Sequence, residues 1–309
     1  MNRGSGRTST AMGLTAVLVV VIGTGCGAGR VGELPEEASA TAVPRRIVSL
    51  SPSITEILFA LGLGDRVVGV TRYCGYPPEA AGKAKVGGLL DTNYEAIVAL
   101  EPDLVIMREE NRDALDKLRQ LGIPALLVSH TTVEGILDSM ATIGRRCGAA
   151  ARAAELVASL KERMAGIERK TRALDRPRVL FAVERTLGTG RIEDVYVAGR
   201  GGFIDRVIEL AGGRNACPET LAGFPVVSGE GIIQMNPDVI LDMVPVLLQQ
   251  EHAKESLLAD WRQLAEVTAV RQGRVYVLDD DYAFIPGPRF VLLAEKLARL
   301  LHPEVDWRR

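Results

Sequence analysis

Residues 95–106 read EAIVALEPDLVI, and residues 230–241 read EGIIQMNPDVIL. Aligned without a gap, at the constant offset of 135 residues that separates Glu95 from Glu230, the two copies share Glu95/Glu230, Ile97/Ile232, Pro102/Pro237 and Asp103/Asp238. Most other positions exchange one apolar residue for another. In each copy a polar residue suited to capping a helix (Asn93, Ser228) precedes the glutamate, which stands at the second helical position. A short helix then runs into Pro-Asp, and a β-rich run follows at 104–107 and 239–241. A solenoid repeats every 20–50 residues or so, far less than this period. The pattern predicts two similar lobes, each built around the same helix–turn–strand unit.

A chain of 309 residues has room for two domains at about 150 residues each. Its 47% hydrophobic and 25% charged residues are those of a globular protein. A net charge of −2, with the basic residues scattered, gives no electrostatic footprint for nucleic acid.

The first 25 residues form a secretory signal: Arg3 and Arg7, an apolar run over 12–22, then small residues before Cys26. The apolar run is shorter than the ~20 residues a membrane span needs. Small residues followed by Cys26 resemble the bacterial lipobox, in which the cysteine becomes a lipidated N-terminus; Gly23 stands where leucine is usual. Residues 26–44, rich in Gly, Ala, Glu, Thr and Pro without periodicity, read as a flexible tether. Beyond Cys26 remain Cys74, Cys147 and Cys217, with no Cys/His spacing of a zinc site. Export permits one disulfide among them, and three unpaired thiols are the equal alternative.

The first lobe, 45–148, opens with an apolar run at 46–50 that ends at Ser51-Pro52. Ser53 and Glu56 predict a capping box for a helix over 54–61, stopped by Gly62. A β-branched run at 67–71 follows. Strand, helix and strand within about 25 residues call for a parallel sheet. The Pro-stiffened loop 72–78, with Tyr73 and Tyr76, lies beyond a strand's carboxyl end, where open α/β sheets hold ligands. Residues 149–173 contain no proline, and Leu156, Leu160, Met164 and Ile167 recur at helical spacing. A helix of about 25 residues would span ~38 Å and serve, within 149–176, as a stiff link between lobes. The second lobe, 177–309, carries a strand at 178–183 and glycines at 199, 201 and 202 suited to a tight turn. The second repeat copy, a strand at 274–278, a loop at 279–289 and a closing helix from 290 to 301 complete it.

The chain has no GxSxG, HExxH or P-loop. His130, His252 and His302 are scattered, and no spacing isolates a catalytic carboxylate pair. An exported, tethered, two-lobed chain without these groups points to binding rather than catalysis.

The run RRIVSLSPSITEILFALGLGDRVVGVTRYCGYPPEA (45–80), followed by KVGG and EAIVALEPDLVI, resembles the periplasmic binding proteins that feed ABC importers for vitamin B12 and ferric siderophores. The resemblance covers the whole mature chain. It implies an α/β fold of two Rossmann-like lobes with parallel-type sheets, joined by a single long helix, with the ligand cleft between them. It implies that Glu95 and Glu230 meet arginines of the permease. A glutamate in a first helical turn also offsets the helix dipole by ~0.3–1 kcal/mol without any partner.

For the ligand, the resemblance points to Tyr73, Phe224 and Asp281 as cleft contacts. Leu89 and Arg108 stand where B12 receptors can carry tryptophans, and Arg108 suits an anionic chelate. Tyr282, Arg185, Arg72 and Arg289 are further candidates. The implied cargo is a corrinoid or a ferric-siderophore chelate, gripped through its chelator. No metal ligand and no cofactor of the protein's own are expected. The implied partners are the permease and ATPase subunits and, through Cys26, the membrane. Haem, a bare zinc or manganese ion, and a sensory or enzymatic reuse of the fold are the alternatives.

Overall fold

The computed structural model describes residues 42–88, 91–244 and 254–307. The signal, most of the tether, Cys26, Leu89 and His252 lie outside the described residues.

The first lobe runs β1 (Ile47–Ser49), α1 (Pro52–Ala60), β2 (Val67–Val70), α2 (Pro78–Ala81), β3 (Ala84–Lys85), α3 (Tyr94–Ala99), β4 (Leu104–Arg108), α4 (Asp113–Gln120), β5 (Ala125–Val128) and α5 (Val133–Arg146). Its sheet has the order β3-β2-β1-β4-β5, and every pairing is parallel. The strand order reverses between β1 and β4. A crevice opens beyond the carboxyl ends of the strands at such a point.

The linking helix α6 (Ala150–Thr171) has 22 residues, or ~33 Å at 1.5 Å per residue. Its buried apolar side chains Ala153, Leu160 and Ile167 recur every seven residues and form one stripe. At its start Arg152 Nη1 donates to Leu61 O in the first lobe (3.3 Å). Farther along, Arg163 Nε donates to Glu295 (2.9 Å), and Glu168 accepts from Arg206 Nη2 (2.9 Å), both in the second lobe. The helix therefore crosses from one lobe to the other and does not fold back within either.

The second lobe runs β6 (Arg178–Arg185), β7 (Asp194–Val197), α7 (Phe203–Leu210), β8 (Arg214–Asn215), β9 (Val226–Ser228), α8 (Gly229–Met235), β10 (Val239–Met243), α9 (Lys254–Trp261), α10 (Thr268–Arg271), β11 (Val275–Leu278) and α11 (Phe290–Leu301). Its sheet follows β11-β10-β6-β7-β9, with β8 beside β6. Here the expectation of parallel-type pairing holds only in part. β6, β10, β11 and β8 are parallel, but β7 runs antiparallel to both β6 and β9. The cause is local: only the short stretch 186–193 joins β6 to β7, too little chain for a crossover helix.

Period-two alternation explains how the lobes share a core. Ile47, Leu104 and Ile106, with Val179, Phe181, Val239 and Leu241, face one continuous cluster that also takes in α5, α6, α7 and α11. The intervening Val48, Val105 and Met107 face the first lobe's own outer cluster, and Leu180, Ala182 and Ile240 face the second lobe's.

The repeat has a structural meaning. Asp103 accepts from the backbone N–H groups of Arg45 (2.8 Å) and Arg46 (3.0 Å), at the entrance to β1. Asp238 accepts from the N–H of Arg178 (2.8 Å), the first residue of β6. In both lobes the Pro-Asp carboxylate thus aligns the repeat's strand with the strand beside it. The predicted caps are present: Asn93 accepts from Ala96 N–H (2.9 Å) and Ser228 from Gly231 N–H (3.3 Å).

The predicted capping box at Ser53 and Glu56 is a correction. The N-cap of α1 is Ser51, with no side-chain capping bond. Ser53 Oγ lies 2.8 Å from His130 Nδ1 instead, and Glu56 pairs with Arg289. Tertiary partners have taken both side chains that local geometry would have used. Cys74, Cys147 and Cys217 are buried free thiols.

Candidate ligand cleft

Two adjoining cavities, of about 610 and 630 Å³, share Arg108, Phe284 and Pro286 as lining residues and together form one cleft between the lobes. The first-lobe half is lined by Leu50–Ser53 at the carboxyl end of β1, by Thr71 and Tyr73 after β2, and by Arg108, the last residue of β4. These are the chain segments flanking the switch point, as the strand order requires. The second-lobe half is formed by the turn Ala198–Gly202, the start of α7 and residues 222–224. The loop wall common to both halves is the tip of the loop after β11, Phe284 and Pro286, with Ile285 adding to the first-lobe half.

The apolar content of the cleft is aromatic and partly exposed. Tyr73 is 60% exposed and Phe224 49%. Phe284 stands between Phe224 and Phe203, with ring centroids 5.5 and 6.5 Å away and tilted geometry. Such a cluster offers a broad flat ligand large contact area at little cost in side-chain entropy. Gly199 lines the same wall, and a Cβ there would meet Leu221 O at 2.5 Å, so only glycine permits this close approach of the two loops.

The polar groups are few. Arg108 pairs with Glu110 (2.7 Å) and is partly exposed. Burial pushes the Glu110 carboxyl up, but the hydrogen bonds and charge of Arg108 outweigh it and hold it below the usual range. Arg200 pairs with Asp205 (3.3 Å), which also accepts from Gly201 N–H (2.8 Å). Arg72 pairs with Asp91 at the rim, which holds the Asp91 carboxyl low. His130 is 1% exposed, and its Nε2 has no partner. Burial, then the Arg108 charge, pushes its pKa down to about 4, so the ring is neutral near pH 7. Among the described residues no three His, Cys, Asp or Glu side chains converge on a point that would hold a metal ion.

The sequence candidates fall into three groups. Tyr73, Arg108 and Phe224 line the cleft. Asp281 and Tyr282 stand at the base of the loop whose tip lines it. Asp281 is bound to Arg289, and burial, then a hydrogen bond to Asp280, raises the Tyr282 hydroxyl to about 12. Arg185 is a correction: its side chain is 2% exposed and pairs with Asp242 (2.7 Å) and Asp260 (2.6 Å) beneath the Trp261 ring. That buried network ties β6, β10 and α9 together and leaves Arg185 nothing to offer a ligand. A single sequence does not distinguish an arginine that faces solvent from one that neutralises two buried carboxylates. Sequence reasoning missed Phe203, Phe284 and Pro286. The signal was the apolar Phe284-Ile285-Pro286 in a loop beyond a strand's carboxyl end.

Glu95 and Glu230 are exposed, each in the first turn of its helix, and neither has an ion-pair partner among the described residues. Exposed Val98 and Leu121 share a shallow hollow with Glu95. No described helix is long and apolar enough to cross a membrane.

The family model for periplasmic binding proteins matches residues 47–282. An uncharacterized ABC transporter substrate-binding lipoprotein of Bacillus subtilis (strain 168) is 32% identical over 268 residues, covering 84% of this chain and 81% of its own. A cobalamin-binding protein of Halobacterium salinarum is 32% identical over 279 residues, covering 86% of this chain and 73% of its own. Among solved structures, the apo periplasmic heme-binding protein RhuT of Roseiflexus sp. RS-1 superposes with a TM-score of 0.73 at 32% identity, covering 84% and 98% of the two chains. The vitamin B12 binding protein BtuF of Vibrio cholerae gives a TM-score of 0.70 at 26% identity, covering 84% and 96%. With the linking helix, the paired lobes and the cleft between them, these matches place the chain in the periplasmic binding protein family.

Proposed function

We propose that this protein is the extracytoplasmic receptor of an ABC importer, taking up a corrinoid or a closely related metal chelate in the interlobe cleft and presenting it to the permease. The observation that carries this reading is the cleft itself. It is a long trough floored by the β1–β4 switch point, walled by Tyr73, Phe224 and Phe284, with Arg108 at its centre. Aromatic faces suit a broad macrocycle, and a planar guanidinium suits a carboxamide, phosphate or carboxylate substituent at its edge. The protein holds the chelator, not the metal. It acts as a binding protein and not as an enzyme.

The exposed glutamates complete the reading. Glu95 and Glu230 occupy equivalent helix starts on the two lobes. A permease built from two like subunits would present two like basic sites, and charge pairs of this kind set orientation and association rate. Cys26 would carry the lipid that keeps the receptor at the membrane, with residues 27–44 as its leash.

The test is a titration of purified protein with cyanocobalamin, cobinamide, haemin and a panel of ferric siderophores. Submicromolar binding to a corrinoid supports the proposal. Haemin as the tighter ligand would reassign the cargo within the same receptor class. Binding to none would remove the chelate reading.

A further inference from the structure

We propose that Arg289 is the positioning residue of the cleft: it clamps the loop bearing Phe284, Ile285 and Pro286 at its base and ties that base to the other lobe. The proposal rests on the reading of the cleft as the ligand site.

Arg289 touches neither cleft cavity. It borders a separate cavity of about 690 Å³ behind the cleft, against α6. Its guanidinium joins four side chains, two from each lobe. Nη1 donates to both carboxylate oxygens of Asp281 (2.7 and 2.8 Å). Nη2 donates to Glu56 Oε1 on α1 (2.6 Å), 233 residues away in sequence. The ring of Tyr76, also from the first lobe, lies 3.7 Å from the guanidinium carbon, and the ring of Tyr282 lies 5.6 Å from it. Only a planar guanidinium can give one nitrogen to Asp281, another to Glu56 and a face to the Tyr76 ring together; an ammonium is a point charge with no face.

The consequence for the cleft is geometric. Asp281 and Arg289 are eight residues apart and bonded to each other, so they close the base of the loop. Between them the chain is folded by tight turns: Ala283 N–H to Asp280 O (3.1 Å), Ile285 N–H to Tyr282 O (3.2 Å) and Gly287 N–H to Ile285 O (2.8 Å). The loop then presses directly on α1. A Cβ at Gly287 would stand 2.9 Å from Glu56 Oε2 and 3.4 Å from Ser53 Cα. The Glu56 side chain is 2% exposed, so water does not compete for this bridge. Phe284 and Pro286 line both halves of the cleft, so whatever fixes the loop's base fixes the cleft's width and the stance of its aromatic wall.

The experiment compares wild type with Arg289→Lys and Asp281→Asn. Arg289→Lys keeps the charge and loses the fork. Asp281→Asn leaves the Arg289–Glu56 bridge in place. Amide hydrogen exchange is followed in the ligand-free protein at Ala283, Ile285 and Gly287, with β4 and β10 as internal references. Both variants are expected to exchange at least tenfold faster at the loop amides and unchanged in the reference strands. Dissociation of cyanocobalamin and of haemin, whichever binds, is expected to quicken about tenfold with association unchanged. Unaltered loop protection in Arg289→Lys overturns the proposal. So does acceleration spread equally over β4 and β10, which would make the residue a general stabiliser. Should wild type bind neither probe, the cargo lies elsewhere in the titrated panel, and the exchange measurement still decides the role of Arg289.

Discussion

Glu101 and Asn236, 135 residues apart, both hold left-handed backbone, with φ of 43° and 40°. Each ends a repeat helix and turns the chain into Pro-Asp. Among the described residues they are the only non-glycine positions with positive φ. Both lobes thus store the same local strain at the same point of the same unit, and a β-branched side chain tolerates that backbone poorly. Glu101→Val is expected to lower stability by about 1–2 kcal/mol, whereas Glu101→Gly leaves it level or slightly higher. Urea unfolding of the two variants measures the difference; equal midpoints would show that the turn carries no strain.

Arg185 neutralises two buried aspartates. Asp260 also accepts from the N–H groups of Gly188 (2.8 Å) and Gly190 (2.6 Å), and Trp261 Nε1 donates to Asp242 (2.9 Å). Arg185→Ala leaves two buried carboxylates without their cation, and a loss of about 3–5 kcal/mol is expected. The ligand affinity of the folded fraction should not change, because Arg185 does not line the cleft. Chemical denaturation and a binding titration on the same variant separate the two effects.

His130 sets a pH dependence. Its folded-state pKa of about 4 lies below the ordinary 6.5, so folding favours the neutral ring. The stability linked to this group is fully present above pH 6.5 and is lost as pH falls from there toward 4, by up to about 3 kcal/mol. The difference in unfolding free energy between wild type and His130→Gln should shrink across that window. A difference that stays constant from pH 7 to pH 4 would show that the ring titrates normally.

The paired glutamates yield a functional prediction. Glu95→Ala with Glu230→Ala is expected to leave ligand affinity within twofold of wild type, since neither residue approaches the cleft. Uptake in cells carrying the cognate permease should fall by at least tenfold, with each single variant intermediate. Normal uptake by the double variant would remove the docking role.

Much of the fold was legible in the chain. The repeat at 95 and 230, the helix expected over 149–173 and the alternation of apolar residues are local patterns, and local patterns report helices, strands and buried faces. The partners of charged side chains were not legible in the same way. Ser53 and Glu56 have the spacing of a capping box, yet they bond residues 77 and 233 positions away. Arg185 and Arg289 look alike in sequence. One is sealed beneath Trp261, and the other joins the lobes. The cleft's aromatic wall was half visible: Tyr73 and Phe224 were identified, while Phe203 and Phe284 were not.

The sequence by itself determined the two-lobed α/β plan, the linking helix and the equivalence of Glu95 and Glu230. The helix follows from hydrophobic period, which acts over a few residues; the lobes and the paired glutamates follow from the repeat and from the family resemblance, which can be read along the chain without knowing any contact. Only the tertiary structure decided where the charges go, which aromatic rings meet across the cleft and how the loop at 281–289 is pinned. Those outcomes depend on burial, because a charge removed from water must find a partner wherever the fold supplies one. Separation along the chain does not reveal which residues will meet, as the partners of Ser53 and Glu56 at 77 and 233 positions show.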